Sequence, residues 1–270
     1  MTRLIVLDGP MGSELTARGV DTSGAAWSAQ ALVDAPHLVQ SVHAAYVEAG
    51  ATVHRTNTFR TRARTVGARW PKLAALAASL AQAAVPHGQR VAGSLGPIED
   101  CYRPDLARTD EEAERDHEAL AWLLADEGAD LLMCETFPSG DEAVVATRAA
   151  GRTGLPVWTS LTAGPSGDLH DAPTLAEAAA RVVDAGAELV FVNCVAATRT
   201  LAYVEALARR GLPFGVYANA ATWNGERISD DAYVQCAREW IARGARAVGS
   251  CCGTTPRTTR ALAALRDEGS

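Results

Sequence analysis

Short apolar runs rich in Val, Ile and Leu recur along the chain, and a longer alanine-rich stretch with apolar positions every three or four residues follows each one. Runs of the first kind fit buried strands, and stretches of the second kind fit amphipathic helices. The pattern predicts strands near Leu4 to Leu7, Thr52 to Thr56, Arg90 to Ser94, Asp130 to Cys134, Pro156 to Leu161, Glu188 to Asn193, Phe214 to Ala218 and Arg246 to Gly249. Helices are expected around Pro36 to Ala49, Lys72 to Val85, Asp110 to Glu127, Gly140 to Arg152, Leu175 to Ala185, Arg199 to Arg210, Asp230 to Arg243 and Pro256 to Asp267. Several of these carry start signals, such as Thr109-Asp110 before the third and Ser229-Asp230 before the seventh.

Four helices end in the same way, at Ala49-Gly50-Ala51, Glu127-Gly128-Ala129, Ala185-Gly186-Ala187 and Arg243-Gly244-Ala245. A glycine that closes a helix and leads directly into an apolar strand is the αβ-loop chemistry of a parallel sheet. Eight such units in this length of chain predict an α/β fold, a (β/α)8 TIM-type barrel. An open doubly wound sheet is the alternative, but no G-x-G-x-x-G follows any strand. With no linker, low-complexity segment or charge block to divide it, the chain is read as one domain over residues 1–270.

Composition narrows the partners. The 270 residues are 48% hydrophobic, enough for a sizeable core without disulfides. A formal net charge of -7 argues against nucleic acid or an anionic membrane surface as the main partner. The apolar run from Leu73 to Val85 is too short to span a bilayer, and in MTRLIVLDGPMG an acidic residue and glycines interrupt the place where a secretory signal needs a longer apolar stretch. The expectation is a soluble cytoplasmic protein whose six cysteines are reduced.

In a closed barrel, reactive groups come from the C-terminal ends of strands. The unusual residues fall there: Asp8-Gly9-Pro10 after strand one, Thr56-Asn57-Thr58-Phe59 after two, Gly93-Ser94-Leu95-Gly96-Pro97 after three, Cys134-Glu135-Thr136-Phe137 after four, Asn193-Cys194 after six, Asn219 after seven and Cys251-Cys252 after eight. Cys251 and Cys252 cannot both face inward from a regular strand, because successive side chains alternate. The chain must therefore turn, and Gly249 and Gly253 flank the pair. With Cys194, this makes three soft ligands and no fourth, the layout of a catalytic zinc with one open position. Cys101, in a polar loop, and Cys134 and Cys236 are read as small buried hydrophobes. The six histidines offer no pair at metal-ligand spacing and are read as helix-surface or capping residues, with His117, on the helix before strand four, singled out among them.

Read in order, LDGPMGSELTARG at Leu7 to Gly19, TNTF at Thr56 to Phe59, GSLGP at Gly93 to Pro97, ADLLMCETFPS at Ala129 to Ser139, VNC at Val192 to Cys194 and CCGTTP at Cys251 to Pro256 run the length of the chain. Through these motifs it resembles the homocysteine S-methyltransferase family. The resemblance implies a zinc-dependent transfer of a methyl group to the thiol of homocysteine, giving methionine, with Zn2+ on Cys194, Cys251 and Cys252. It further implies that Asp8 and Glu135 hold the substrate amino group, that Asn193 shapes the zinc pocket, and that Trp27 lies near the donor. The partners implied are small molecules, a thiol and a sulfonium methyl donor, and no oligomeric state is implied.

Several positions depart from the family pattern. Ser250 stands where a glycine is usual, only the asparagine of the strand-seven run survives in Ala218-Asn219-Ala220-Ala221, and IEDCYRPD replaces a glycine-containing turn after GSLGP. Arg60 occupies the position where betaine-using members carry a tyrosine, which leans the donor towards S-methylmethionine or S-adenosylmethionine. Residue chemistry alone leaves alternatives open. Asp8 and Glu135 could activate water beside a metal or serve as caps and barrel packing, and Trp27, Phe59 and Phe137 could be core. A different thiol or selenol acceptor, or a non-catalytic zinc barrel that binds a thiol metabolite, would use the same cysteines.

Overall fold

The structure is a computed structural model that describes residues 4–221 and 226–268, so Arg3, which entered the reading of the N-terminus, lies outside it. Eight parallel strands are present: β1 (Ile5–Val6), β2 (Val53–Arg55), β3 (Arg90–Leu95), β4 (Leu131–Phe137), β5 (Val157–Leu161), β6 (Leu189–Ala196), β7 (Phe214–Asn219) and β8 (Ala247–Ser250). They pair β1-β8-β7-β6-β5-β4-β3-β2. A bridge from Leu7 to Val53 closes the ring, with backbone bonds from Thr52 N to Val6 O at 2.8 Å and from Asp8 N to Val53 O at 3.0 Å. The result is a (β/α)8 TIM-type barrel, as the alternating pattern predicts.

The outer helices are α1 (Pro36–Glu48), α2 (Trp70–Ala84), α3 (Glu111–Asp126), α4 (Gly140–Gly151), α5 (Ala172–Asp184), α6 (Leu201–Arg209), α7 (Asp230–Ala242) and α8 (Pro256–Glu268). Both start signals cap as expected: Asp110 accepts from Ala113 N and Ser229 from Ala232 N. Gly50, Gly128, Gly186 and Gly244 all have φ between 85° and 112°, the left-handed turn that the repeated glycine phrase anticipates.

Alternate strand residues fill the barrel. Leu7, Val53, Ala92, Leu131, Met133, Trp158, Leu189, Phe191, Tyr217 and Ala247 form one buried cluster, one or two from each strand or its end. Small residues make room for the large ones: a Cβ on Gly215 would lie 2.3 Å from the Phe191 ring. A larger cluster lies between barrel and helices, with Leu120, Leu124, Val204, Tyr233 and Trp240 among its members. The filled interior closes the lower barrel, so chemistry is confined to the rim.

Two strands run three residues past their predicted ends, to Phe137 in β4 and Ala196 in β6, and each gains an irregularity there. Between Cys134 and Phe137, β4 advances three residues while β5 advances two, from Thr159 to Leu161. Between Asn193 and Ala196, β6 advances three while β7 advances two, from Tyr217 to Asn219. Each bulge therefore contains one extra residue, and each includes a non-glycine with positive φ, Thr136 at 65° and Cys194 at 53°.

Candidate metal and substrate site

The two bulges re-aim side chains at the rim. Asn193 Nδ2 donates to Thr136 Oγ1 at 2.7 Å, so one bulge is fastened to the other. Beyond β8 the backbone turns at Cys251, which donates its N–H to Ala218 O at 2.8 Å, while Cys252 O accepts from Ala220 N at 3.0 Å. Gly253 completes the turn with φ 80°. Beneath it the Tyr233 hydroxyl lies 2.9 Å from the carbonyls of both Ala218 and Gly249, joining the ends of β7 and β8. This turn lets adjacent cysteines face one point, which a regular strand would forbid.

The Sγ atoms of Cys194 and Cys251 are 2.9 Å apart, those of Cys251 and Cys252 are 4.0 Å apart, and all three lie within 4.8 Å of one another. Sulfurs about 2.3 Å from a tetrahedral zinc stand about 3.8 Å from each other, within the range found here. No further His, Cys, Asp or Glu joins the group among the described residues. The trio is therefore able to hold a metal ion, and its donors are all soft. Hydrogen bonds with Cys194 and Cys251 pull Cys252 well below the ordinary thiol value, and those with Cys251 and Cys252 push Cys194 well above it.

The sulfurs line a cavity of about 980 Å³ that also reaches Asp8, Trp27, Arg55, Phe59, Cys101, Tyr102 and Glu135. Asp8 and Glu135 are buried at 2% and 7% exposure. They do not face an empty space, because the Arg55 guanidinium lies between them, with Nε 2.7 Å from Asp8 Oδ1 and Nη1 3.0 Å from Glu135 Oε2. Ser94 Oγ donates to Glu135 Oε1, and the Tyr217 hydroxyl donates to Oε2 at 3.3 Å. Burial pushes the Glu135 carboxyl up, against the opposing pull of Arg55 and Ser94. Burial would lower the Arg55 value, but Asp8 and Glu135 overcome it and hold the guanidinium charged.

Trp27 and Phe59 meet edge to face in the cavity wall, with ring centroids 5.9 Å apart. Asn193 is fully buried and does not line the cavity; it reaches the site through Thr136. Phe137 is also buried away from it, with its ring 5.7 Å from that of His117. His117 sits behind the wall, with Nε2 3.5 Å from Glu142 Oε1, and takes no place at the rim. Glu142 accepts from the backbone N–H groups of Ile98 and Arg108, at 2.7 and 3.3 Å, and so pins both ends of the loop that carries Cys101 and Tyr102.

Arg55, Cys101 and Tyr102 are among the cavity residues that the sequence reading did not place in the site. Arg55 had a signal, a basic residue inside a predicted strand of a closed barrel, which must find an anionic partner if it is buried. Cys101 was read as packing, yet it lines the cavity, where burial pushes its thiol up to about 12. Tyr102 lies on a loop whose path the sequence does not specify.

A family model described as homocysteine S-methyltransferase matches residues 5–265. The chain belongs to the homocysteine S-methyltransferase family. Among curated members, the homocysteine S-methyltransferase of Escherichia coli (strain K12) is 32% identical over 97% of this chain and 94% of its own length. The S-methylmethionine–homocysteine S-methyltransferase BHMT2 of Pongo abelii is 29% identical over 96% of this chain and 77% of its own. Among solved structures, the metallated form of the homocysteine methyltransferase MmuM from Escherichia coli superposes with a TM-score of 0.83 at 29% identity, covering 97% of this chain and 96% of that one. Its apo form gives 0.77. Among the described residues of this family member, no helix is long and apolar enough to cross a membrane.

Proposed function

We propose that this barrel, acting as one homocysteine-binding domain, transfers a methyl group from a sulfonium donor to the thiol of homocysteine, giving methionine. Cys194, Cys251 and Cys252 would hold a zinc ion. The observation that carries this reading is the convergence of three soft sulfurs within 4.8 Å at the wall of a cavity that also contains two buried carboxylates. Of the metals available to such a site, zinc suits three thiolates in a tetrahedral arrangement. When bound, it supplies the Lewis acidity that keeps the acceptor thiol deprotonated near neutral pH.

The protein's own residues have separate tasks. Among the described residues no fourth His, Cys, Asp or Glu joins the sulfur group, which leaves room there for the substrate thiol. Asp8 and Glu135 take the acceptor's ammonium, and Asn193 keeps the bulges of Cys194 and Glu135 in fixed relation. The Trp27 ring lines the cavity and attracts the positive sulfonium, a contribution of roughly 0.5 to 2 kcal/mol. As the acceptor sulfur–carbon bond forms, the donor's sulfur–methyl bond breaks and its electrons stay on the departing sulfur. The donor leaves as a neutral thioether, so no general acid is needed. Holding sulfur and methyl carbon in line and away from water supplies the rate.

S-methylmethionine is the leading donor, since relatives that match over nearly the whole chain are named for it, and S-adenosylmethionine is the second. A cytoplasmic location fits, because a reducing compartment keeps the cysteines available as ligands. The test is a methyl-transfer assay of zinc-loaded protein with homocysteine and S-methylmethionine, S-adenosylmethionine or betaine. Turnover with a sulfonium and none with betaine is expected, and Cys252→Ala should lose both metal and turnover. Full activity in a metal-free preparation would overturn the proposal.

A further inference from the structure

Two carboxylates that are to receive an ammonium already have a cation between them. Besides its side-chain bonds to Asp8 and Glu135, Arg55 donates its backbone N–H to Asp8 Oδ2 at 2.9 Å. Its Nη2 reaches the carbonyls of Asp8 and Gly9 at 3.2 and 3.1 Å, and the Tyr217 ring lies 4.7 Å away. We infer that Arg55 is the positioning residue for the acceptor's ammonium: by spanning Asp8 and Glu135 it holds both carboxyl groups in place, two acidic side chains against one guanidinium. This inference rests on the homocysteine reading and goes beyond it by naming what sets the acceptor's charge.

Two buried carboxylates without a cation repel each other and favour the protonated form of one of them. A lysine offers one compact charge, whereas the guanidinium fork reaches two acceptors at once. Charge balance then points to the ligand. Two carboxylates and one guanidinium sum to minus one, which a single ammonium neutralises. Bonding capacity agrees, since five of the roughly eight lone-pair sites on the two carboxylates are taken, and the remainder matches the three donors of an ammonium. The competing possibility is that the guanidinium has replaced the substrate ammonium, in which case the acceptor would carry none.

Binding of two thioethers separates these cases without relying on turnover. L-Methionine carries the ammonium, and 4-(methylthio)butanoate is the same molecule without it. Calorimetric titration of the wild-type protein should favour methionine by about tenfold or more, the value of hydrogen bonds between charged partners. Arg55→Met should weaken that preference at least about threefold, because the two carboxyl groups lose their fixed spacing, while changing the affinity for 4-(methylthio)butanoate less than about twofold, and Arg55→Lys should retain more of it. Equal binding of the two thioethers by the wild type would overturn the inference, as would an equal loss of both in Arg55→Met, which would mark Arg55 as a structural support only. If Arg55→Met does not fold by thermal unfolding, the ratio in Arg55→Lys decides. Failure of the homocysteine reading would show separately, as wild-type protein that methylates no homocysteine with any donor.

Discussion

Asn193 donates to Thr136 across 2.7 Å, and both side chains leave strand bulges that carry a residue of the site, Cys194 on one and Glu135 on the other. Neither Asn193 nor Thr136 has an exposed surface to speak of. The bond sets the spacing between sulfur and carboxylate, with Thr136 at the cavity wall and Asn193 behind it.

Removing either partner leaves the other polar group buried and unpaired, which costs about 1–3 kcal/mol. Asn193→Ala and Thr136→Ala should each lower stability by that order and reduce kcat/KM for homocysteine. In a double-mutant cycle measured by urea unfolding, the two should couple by more than about 0.5 kcal/mol. Strict additivity would show that the bond does not link the bulges.

Metal removal exposes a second consequence of the geometry. With Cys194 and Cys251 sulfurs 2.9 Å apart, mild oxidation of metal-free protein should join them first. Titratable thiols would then fall from six to four, and peptide mapping would find residues 194 and 251 linked. Bound metal should protect all three ligands, so equal oxidation rates with and without it would argue that the trio is not the metal site.

Gly253 allows the turn that presents the cysteine pair. Its φ of 80° disfavours any side chain, and a Cβ there would meet Ala221 N at 2.9 Å and Ala221 Cβ at 2.7 Å. Gly253→Ala must displace the strand-eight turn or the end of β7. Metal competition with a chromophoric chelator should show affinity reduced by about tenfold or more, while the far-ultraviolet spectrum stays that of the folded barrel.

Acid should weaken the fold through two buried histidines. Burial lowers both His43 and His117 to about 4, with Arg62 adding to the effect at His117. A histidine whose folded value lies below its unfolded value of about 6.5 takes up its proton more readily when unfolded, so its stabilisation is complete above that pH and is lost on the way down to about 4. Each site accounts for on the order of 3 kcal/mol. Urea unfolding of metal-free protein at pH 7 and pH 5 should show this loss, and His117→Phe should flatten it. An unchanged slope in that variant would assign the acid sensitivity elsewhere.

Much of this protein was legible in its residue order. Alternating apolar runs and helical stretches determined the barrel, because period and burial are local properties that repeat eight times. The glycine phrases determined the αβ turns, and the Cys251-Cys252 pair required a bend, since no strand can point neighbours the same way. The convergence of Cys194 with that pair followed from strand-end position alone. Tertiary structure decided what contacts across the rim control. The bulges at Thr136 and Cys194 are properties of register between paired strands, which no single segment encodes. The placement of Arg55 between Asp8 and Glu135 depends on β1, β2 and β4, whose ends face one another across the rim only when the barrel closes. The loop that brings Cys101 and Tyr102 into the cavity is held by Glu142 from a later helix, a contact between residues with no local pattern in common.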